Sequence, residues 1–205
     1  MIMPSQYYRN LEKQLRVLKK SFMPATFSAT GNYSAITHER TRAYKVLSHA
    51  EFEYYFEVIA CAIAKKAVND WIKSGKSSSV LVALVSYYDG SFKPIPEQKG
   101  GNNSAEGLSQ RIQMSLTSYI GRVNAHNNGI KEKNIFQIFL PISLLLGDFD
   151  DGFLLALNNF GASRGIIAHS TRANQLLDPK DTLQSVTEIV SYVKELDEKL
   201  CKLLK

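Results

Sequence analysis

The chain has 205 residues, of which 44% are hydrophobic and 21% charged, and this composition and length favour a single globular domain over residues 1–205. The formal charge of +6 favours an anionic partner such as nucleic acid, although a solvated basic helix face would give the same excess. The two cysteines, Cys61 and Cys201, have no neighbouring cysteine, which excludes a disulfide framework and a cysteine-based zinc site.

The first predicted helix covers residues 7–22 and ends before Pro24. Its apolar residues recur at intervals of three and four, as expected for one buried helix face. The positive excess of the chain is concentrated in this helix, where five basic residues outnumber the single Glu12. The apolar face comprises Tyr8, Leu11, Leu15 and Leu18, and the basic residues are Arg9, Lys13, Arg16, Lys19 and Lys20.

A polar loop over residues 23–36 is followed by the longest predicted helix, residues 38–74, with Thr37 as its N-cap. This helix contains neither Pro nor Gly, and its middle is apolar nearly all round, as expected for a helix packed on several sides. Polar side chains at four-residue steps form one row, which is either a solvent-facing seam of ion pairs or the lining of a cleft by His49 and Glu53. The row comprises Lys45, His49, Glu53, Glu57, Cys61 and Lys65.

Helical periodicity continues to the end of the chain, and no convincing alternating strand or hairpin turn interrupts it. The fold class is therefore predicted as all-α, an irregular helical bundle with a long central helix and a C-terminal helix. Asp178 and Pro179 are predicted to open that last helix. The predicted helices are residues 77–89, 106–125, 132–146 despite Pro141, an apolar segment 153–160, and 180–204, with a loop at 90–105 and a turn at 147–152.

The cellular compartment is also predicted from sequence. The first six residues lack the basic and then apolar pattern of a signal peptide, and no apolar run reaches the roughly 20 residues of a membrane span. We therefore expect a cytoplasmic protein without a membrane partner. None of the four histidines follows a Glu by three positions, so a di-iron bundle is not expected, and we predict neither a metal nor another cofactor.

The segment of residues 163–170 carries the residues best suited to chemistry. It places Arg164 five positions before His169, just before the last helix. A guanidinium is a permanent cation that clamps phosphate, and an imidazole with a pKa of roughly 6.5 moves protons at neutral pH. Together these two groups are sufficient for cleavage of RNA without a metal ion.

These residues resemble the Arg-x(4–6)-His motif of the HEPN superfamily of all-helical ribonucleases. The acidic and aromatic run at residues 47–57 of the central helix is similar to the branch called RiboL-PSP-HEPN. The resemblance extends as a helix pattern from about residue 37 to the end of the chain, while the Arg/His segment alone is specific in its residues.

The resemblance implies an RNA endonuclease that acts as a homodimer, with two Arg/His segments meeting in one cleft. His169 would be the general acid or base, Arg164 would stabilise charge on the phosphorane, and His49, Glu53 and Ser170 would support them. The partner would be RNA, contacted partly by the basic first helix. A role as a toxin or antiphage-defence effector, with an antitoxin or inhibitor protein, is also implied.

Three alternatives remain open from sequence. Gly165 follows Arg164 where the family usually has a polar residue, which keeps open a non-catalytic module that binds nucleotide, RNA or a protein. A helical scaffold in which His169 is a core residue is another possibility. Arg42 and His49 also match the motif, and on an ideal helix they lie within about 20° of each other, against about 140° for Arg164 and His169. The two side chains of the preferred pair would meet if Gly161 and Gly165 opened a helix start at Arg164, or if two subunits faced each other.

Overall fold

The computed structural model describes residues 3–88, 103–169 and 176–204, without the side chains of 103–106 and 163–169. Within these residues all regular structure is helical, so the predicted all-α class is confirmed. None of these helices is both long and apolar enough to cross a membrane. The α-helices are α1 (Gln6–Phe22), α2 (Ala35–Ser74), α3 (Ser79–Tyr88), α4 (Asn103–His126), α5 (Glu132–Phe139), α6 (Asp151–His169) and α7 (Pro179–Leu203).

The central helix α2 organises the bundle, because every other α-helix packs against it. Its 40 residues extend over about 60 Å, and side chains on nearly all of its sides are buried. The predicted N-cap was wrong by one turn: the Ser34 hydroxyl caps the helix by accepting a hydrogen bond from the Thr37 backbone amide at 3.2 Å. The helix ends at Gly75, whose φ of +67° is the left-handed conformation that favours glycine.

The predicted first helix is confirmed as α1, and its apolar face packs on α2, with the Tyr8 and Tyr55 rings 6.5 Å apart. Asp197 of α7 fastens the start of α1. This fully buried carboxylate accepts hydrogen bonds from the Ser5 amide at 2.8 Å, the Ser5 hydroxyl at 2.5 Å and the Tyr55 hydroxyl at 2.8 Å. The N-cap of α1 is therefore held by the last helix of the fold.

The predicted helix over residues 132–146 was wrong beyond Phe139. Pro141 has no amide hydrogen to donate, and its ring opposes a continuing α-helix. The chain instead tightens into a 3₁₀ turn at Leu140–Ile142, and Ser143 adopts a φ of 76°. A second 3₁₀ turn at Leu146–Asp148 occupies the predicted turn region before α6 begins.

Helix α6 runs antiparallel to α2. The Phe153 ring contacts Phe56 at 6.4 Å, whereas Phe160, two turns later in α6, contacts Phe52 at 6.1 Å and His49 at 6.3 Å. The C-terminal end of α6 is thereby directed toward the first third of α2. The last helix begins as predicted, with the Asp178 carboxylate capping the amides of residues 180 and 181.

Candidate active site

The backbone of Arg164 and His169 belongs to the last turns of α6 and not to a segment between two helices. On this helix the two positions are separated by about 140° around the axis and about 7.5 Å along it. Their side chains, and all of Ser170, lie outside the described residues. The roles predicted for these three residues therefore remain predictions.

The proposed helix start at Arg164 is contradicted by the backbone, because Gly161 and Gly165 both lie inside α6. Gly161 serves packing instead. A Cβ atom at this position would lie 3.0 Å from Lys131 Cγ and 3.8 Å from Ile130 Cγ1, so glycine permits the close approach of α6 to the chain before α5. Within one subunit, the helix start that would bring Arg164 and His169 together is therefore absent.

The part of α2 toward which the end of α6 is directed carries a packed group of cationic and aromatic side chains. The His49 ring, 2% exposed, stacks on Phe160 with an interplanar angle of 9°. The Lys45 ammonium lies 5.3 Å from the centroid of the same ring, and burial lowers the pKa of Lys45. Because Arg164 follows Phe160 by four residues, its backbone lies one turn further along the same side of α6.

The first turn of α2 also contacts the chain beyond the motif. His38 Nδ1 lies 2.9 Å from the carbonyl oxygen of Leu177, and because a carbonyl only accepts, this ring nitrogen donates. The Tyr33 ring meets the His38 imidazole edge to face at 6.0 Å. The start of α2 and the start of α7 therefore enclose the same end of the bundle as the last turn of α6.

The predicted polar row on α2 is mostly covered by protein, so its interpretation as a solvent-facing seam was wrong. Of its six members only Lys65 is exposed. His49 Nδ1 lies 3.7 Å from Glu53 Oε2. The expected contact between positions four apart is present between His49 and Glu53, but α6 and the loop before α5 bury it.

A chain of amide hydrogen bonds extends this row toward α5. Asn127 donates to Glu57 Oε1 at 2.7 Å, and Asn134 donates to Asn127 Oδ1 at 3.0 Å. Burial raises the pKa of Glu57 and the nearby Glu53 raises it further, whereas the Asn127 hydrogen bond lowers it. Neither Asn127 nor Asn134 was predicted as a site residue, because the contact that joins them to the row is made with Glu57, 70 positions before Asn127.

Gly129 brings the backbone close to this group. Its φ is +141°, and a Cβ atom there would lie 3.6 Å from Asn134 Oδ1 and 4.0 Å from His49 Nε2. His49 is thus enclosed by Phe160 on one face, Glu53 on Nδ1 and the Gly129 loop near Nε2. This enclosure supports a positioning role for His49 more than direct contact with a substrate.

The alternative motif pair on α2, Arg42 and His49, does not have the character of an open site. The Arg42 side chain is 12% exposed and its Nε lies 3.9 Å from Glu39 Oε2. Both partners are held within the packed bundle. Across residues 3–88, 103–169 and 176–204, no three His, Cys, Asp or Glu side chains are grouped so that they could hold a metal ion.

A model of the RiboL-PSP-HEPN family matches residues 8–202 of the chain. The chain belongs to the RiboL-PSP-HEPN family. The match includes the whole of α2 and the Arg-x4-His positions of α6, and it confirms the predicted superfamily together with the helical fold. No curated protein and no solved structure matches the chain significantly. The matched range of this RiboL-PSP-HEPN protein contains both Arg/His pairs, Arg164 and His169 at the end of α6 and Arg42 and His49 on α2.

Proposed function

We propose that this protein is a metal-independent RNA endonuclease that acts as a homodimer. The observation that carries the proposal is the family match, which runs through Arg164 and His169 at the end of α6. The packing of α6 adds support, because it directs this end of the helix toward Lys45 of α2. A phosphodiester approaching the motif would meet a cationic environment.

The chemistry proposed for the pair is transesterification at phosphorus. An imidazole of His169 removes the proton of the ribose 2′-OH, whose oxygen forms a bond to the adjacent phosphorus as the bond to the 5′-oxygen breaks. A second imidazole, from the other subunit, returns a proton to the departing 5′-oxygen. Arg164 stabilises the added negative charge on the phosphorane oxygens. The products are a 2′,3′-cyclic phosphate and a free 5′-hydroxyl.

The exposed surface of α1 supports RNA as the partner. All five of its basic residues are exposed, and the two at its end, Lys19 and Lys20, follow the turns that pack beside α2. Cations of this kind bind the phosphate backbone without sequence preference and lose affinity as salt is added. We therefore propose that α1 contributes salt-sensitive contacts to RNA outside the catalytic cleft.

The homodimer is supported by an exposed stripe on α6. Leu155, which is 61% exposed, begins a series at alternating steps of four and three residues that continues through the exposed Asn159 and Ala162. Continued along the helix, the same spacing reaches positions 166 and 169. A second copy packed on this stripe would bring the two His169 positions near one twofold axis, with each Arg164 about 140° further around its helix, on the side of Phe160.

The biological role that we propose is that of a toxin or antiphage-defence effector in the cytoplasm, where RNA is accessible. An enzyme that cuts RNA with a site built from its own side chains is active as soon as it folds and dimerises. Its host therefore needs a means of restraint, and we propose an antitoxin or inhibitor protein for this purpose.

The test is cleavage of a labelled RNA by the wild-type protein and by Arg164→Ala and His169→Ala. Each substitution is expected to lower the rate by at least about 10²-fold while circular dichroism stays unchanged. Cleavage is expected to persist in excess EDTA and to leave a 2′,3′-cyclic phosphate. Dependence on added magnesium would instead indicate a metal-dependent nuclease.

Arg42→Ala is the matched control, since it removes an arginine from the alternative pair but leaves the buried His49 in place. It is expected to retain cleavage. If Arg42→Ala abolished cleavage and Arg164→Ala did not, the site would belong to α2. A folded wild-type protein that bound RNA without cutting it would favour a binding module over an enzyme.

A further inference from the structure

A second concave surface lies between α4, α5 and the end of α3. The cavity has a volume of about 960 Å³, within the usual range for ligand sites. One wall is a stripe of α4 that includes Gly121, Arg122 and His126, and the other is the polar face of α5 with Lys133 and Gln137. We call this cavity the α4–α5 cleft.

The α4–α5 cleft is basic. Arg122 and Lys133 contribute positive charges from its two walls, and the His126 imidazole also lines the cleft. Among the described residues that line the cleft there is no carboxylate. Within the same described part of the chain, neither Arg122 nor Lys133 forms an ion pair. A concave surface with these unneutralised charges is complementary to a phosphate group.

Tyr88 adds an aromatic ring to the basic lining of the cleft. Tyr88, the last residue of α3, lines the cleft and is held edge to face against the buried Tyr119 ring at 5.8 Å. Arg122 lies close enough to lower the pKa of Tyr88, which burial raises. A fixed aromatic ring near a guanidinium offers a stacking surface for a nucleobase, and the Gln137 amide can hydrogen-bond a base edge.

Gly121 of α4 also lines the cleft and contributes no side chain to it. A Cβ atom added to Gly121 would meet no other atom within 4 Å, so a side chain at this position would extend into the cleft without disturbing its walls. Glycine in the interior of a helix is usually unfavourable by roughly 0.5–1 kcal/mol relative to alanine. A methyl group would fit here without contact, whereas a long side chain would occupy space that a ligand would fill.

We propose that the α4–α5 cleft binds a nucleotide, with the phosphate held by Arg122 and Lys133 and the base placed against Tyr88. The ligand is either a free mononucleotide or one nucleotide within an RNA strand, since both present the same phosphate, sugar and base. None of the described residues that line this site belongs to α6, and its proposal does not depend on cleavage. It adds a recognition element that an enzyme of this family would use to select or retain its ligand.

The test measures binding of a fluorescein-labelled, 2′-O-methylated oligonucleotide by anisotropy, because this strand lacks the 2′-OH needed for cleavage. Gly121→Glu fills the cleft with a like charge, and Arg122→Gln with Lys133→Gln removes its cations. Each change is expected to weaken binding by about tenfold or more. Gly121→Ala, which adds one methyl group and keeps the cleft open, is expected to bind within about twofold of wild type.

A double variant of Lys73→Gln and Lys194→Gln is the matched control for charge, because it removes two exposed lysines elsewhere. The proposal is overturned if this control weakens binding as much as the cleft variants, or if Gly121→Glu binds like Gly121→Ala. Competition by uridine or adenosine monophosphate distinguishes the two sources. If the mononucleotide displaces the oligonucleotide from the wild-type protein but not from Gly121→Glu, a free mononucleotide is sufficient for binding in the cleft. If the mononucleotide does not compete, although Gly121→Glu still loses oligonucleotide binding, the ligand is the RNA strand.

Discussion

At the scale of single residues, Glu57 is an example of a carboxylate that opposes folding when it is charged. Its pKa is raised by burial and by Glu53, so the folded state holds its proton more tightly than the unfolded state. The contribution of Glu57 to stability is therefore fully present below the pKa of the unfolded chain and is lost as pH rises through the folded value.

Glu57→Gln is accordingly expected to raise the thermal unfolding midpoint at pH 7, because the Gln oxygen still accepts the hydrogen bond from Asn127. The gain should vanish near pH 3, where Glu57 is protonated in both states. Thermal unfolding followed by circular dichroism at both values measures this, with the exposed Glu195→Gln as control. A gain that was the same at both values would show that ionisation is not its cause.

Asp197 is a buried carboxylate whose two oxygens both accept hydrogen bonds. Asp197→Asn replaces one acceptor oxygen by an NH₂ group that would face the Ser5 and Tyr55 donors. The expected loss of unfolding free energy is about 2–4 kcal/mol. Urea titration measures it, and the exposed Asp181→Asn provides the control. Equal midpoints for the two variants would exclude a role of Asp197 in fastening α1.

At the scale of helices, two glycines predict opposite effects of the same substitution. Gly75→Ala places a Cβ in the left-handed conformation that ends α2, and a loss of about 1 kcal/mol is expected from backbone strain. Gly121→Ala lies inside α4, with space around the added methyl group, and a gain of about 0.5–1 kcal/mol is expected. Chemical denaturation of both variants compares the signs directly.

Helix ends were predictable where a strong local signal existed and no tertiary contact competed with it. Pro24 after α1 and the Asp178-Pro179 pair before α7 fixed those boundaries within a residue or two. Thr37 failed as the cap of α2 because Ser34 offered the same chemistry one turn earlier. The apolar periodicity also predicted that the fifth helix continues beyond Pro141, whereas the missing amide hydrogen of this proline ends the helix.

At the scale of the whole molecule, the α6 stripe predicts that the protein dimerises. Leu155→Asp places a charge on the exposed stripe, where it disrupts a self-complementary interface but no core contact. The dimer dissociation constant is expected to rise by at least about tenfold, with loss of RNA cleavage. Sedimentation velocity measures it, and Val82→Asp on the exposed face of α3 is the control. A wild-type protein that remained monomeric would contradict the proposed dimer.

The surroundings of the candidate site were less predictable than the helices. A row at four-residue steps on α2 identified His49, Glu53 and Glu57 as neighbours, but it did not show which elements cover them. The cover comes from Phe160 and Asn127, which are distant in sequence from their contacts on α2. Such contacts depend on how helices pack, and no local pattern in the chain encodes them.

The hydrogen bonds between Ser5 and Asp197 also bear on the order in which the protein is synthesised. They join residues 192 positions apart, so the cap of α1 is completed only after all the helices between Ser5 and Asp197 have been synthesised. A nascent chain that stopped before Asp197 would hold α1 through its apolar contacts with α2 alone. The basic helix α1 thus reaches its final attachment only after α6, with the Arg164 and His169 positions, has been synthesised.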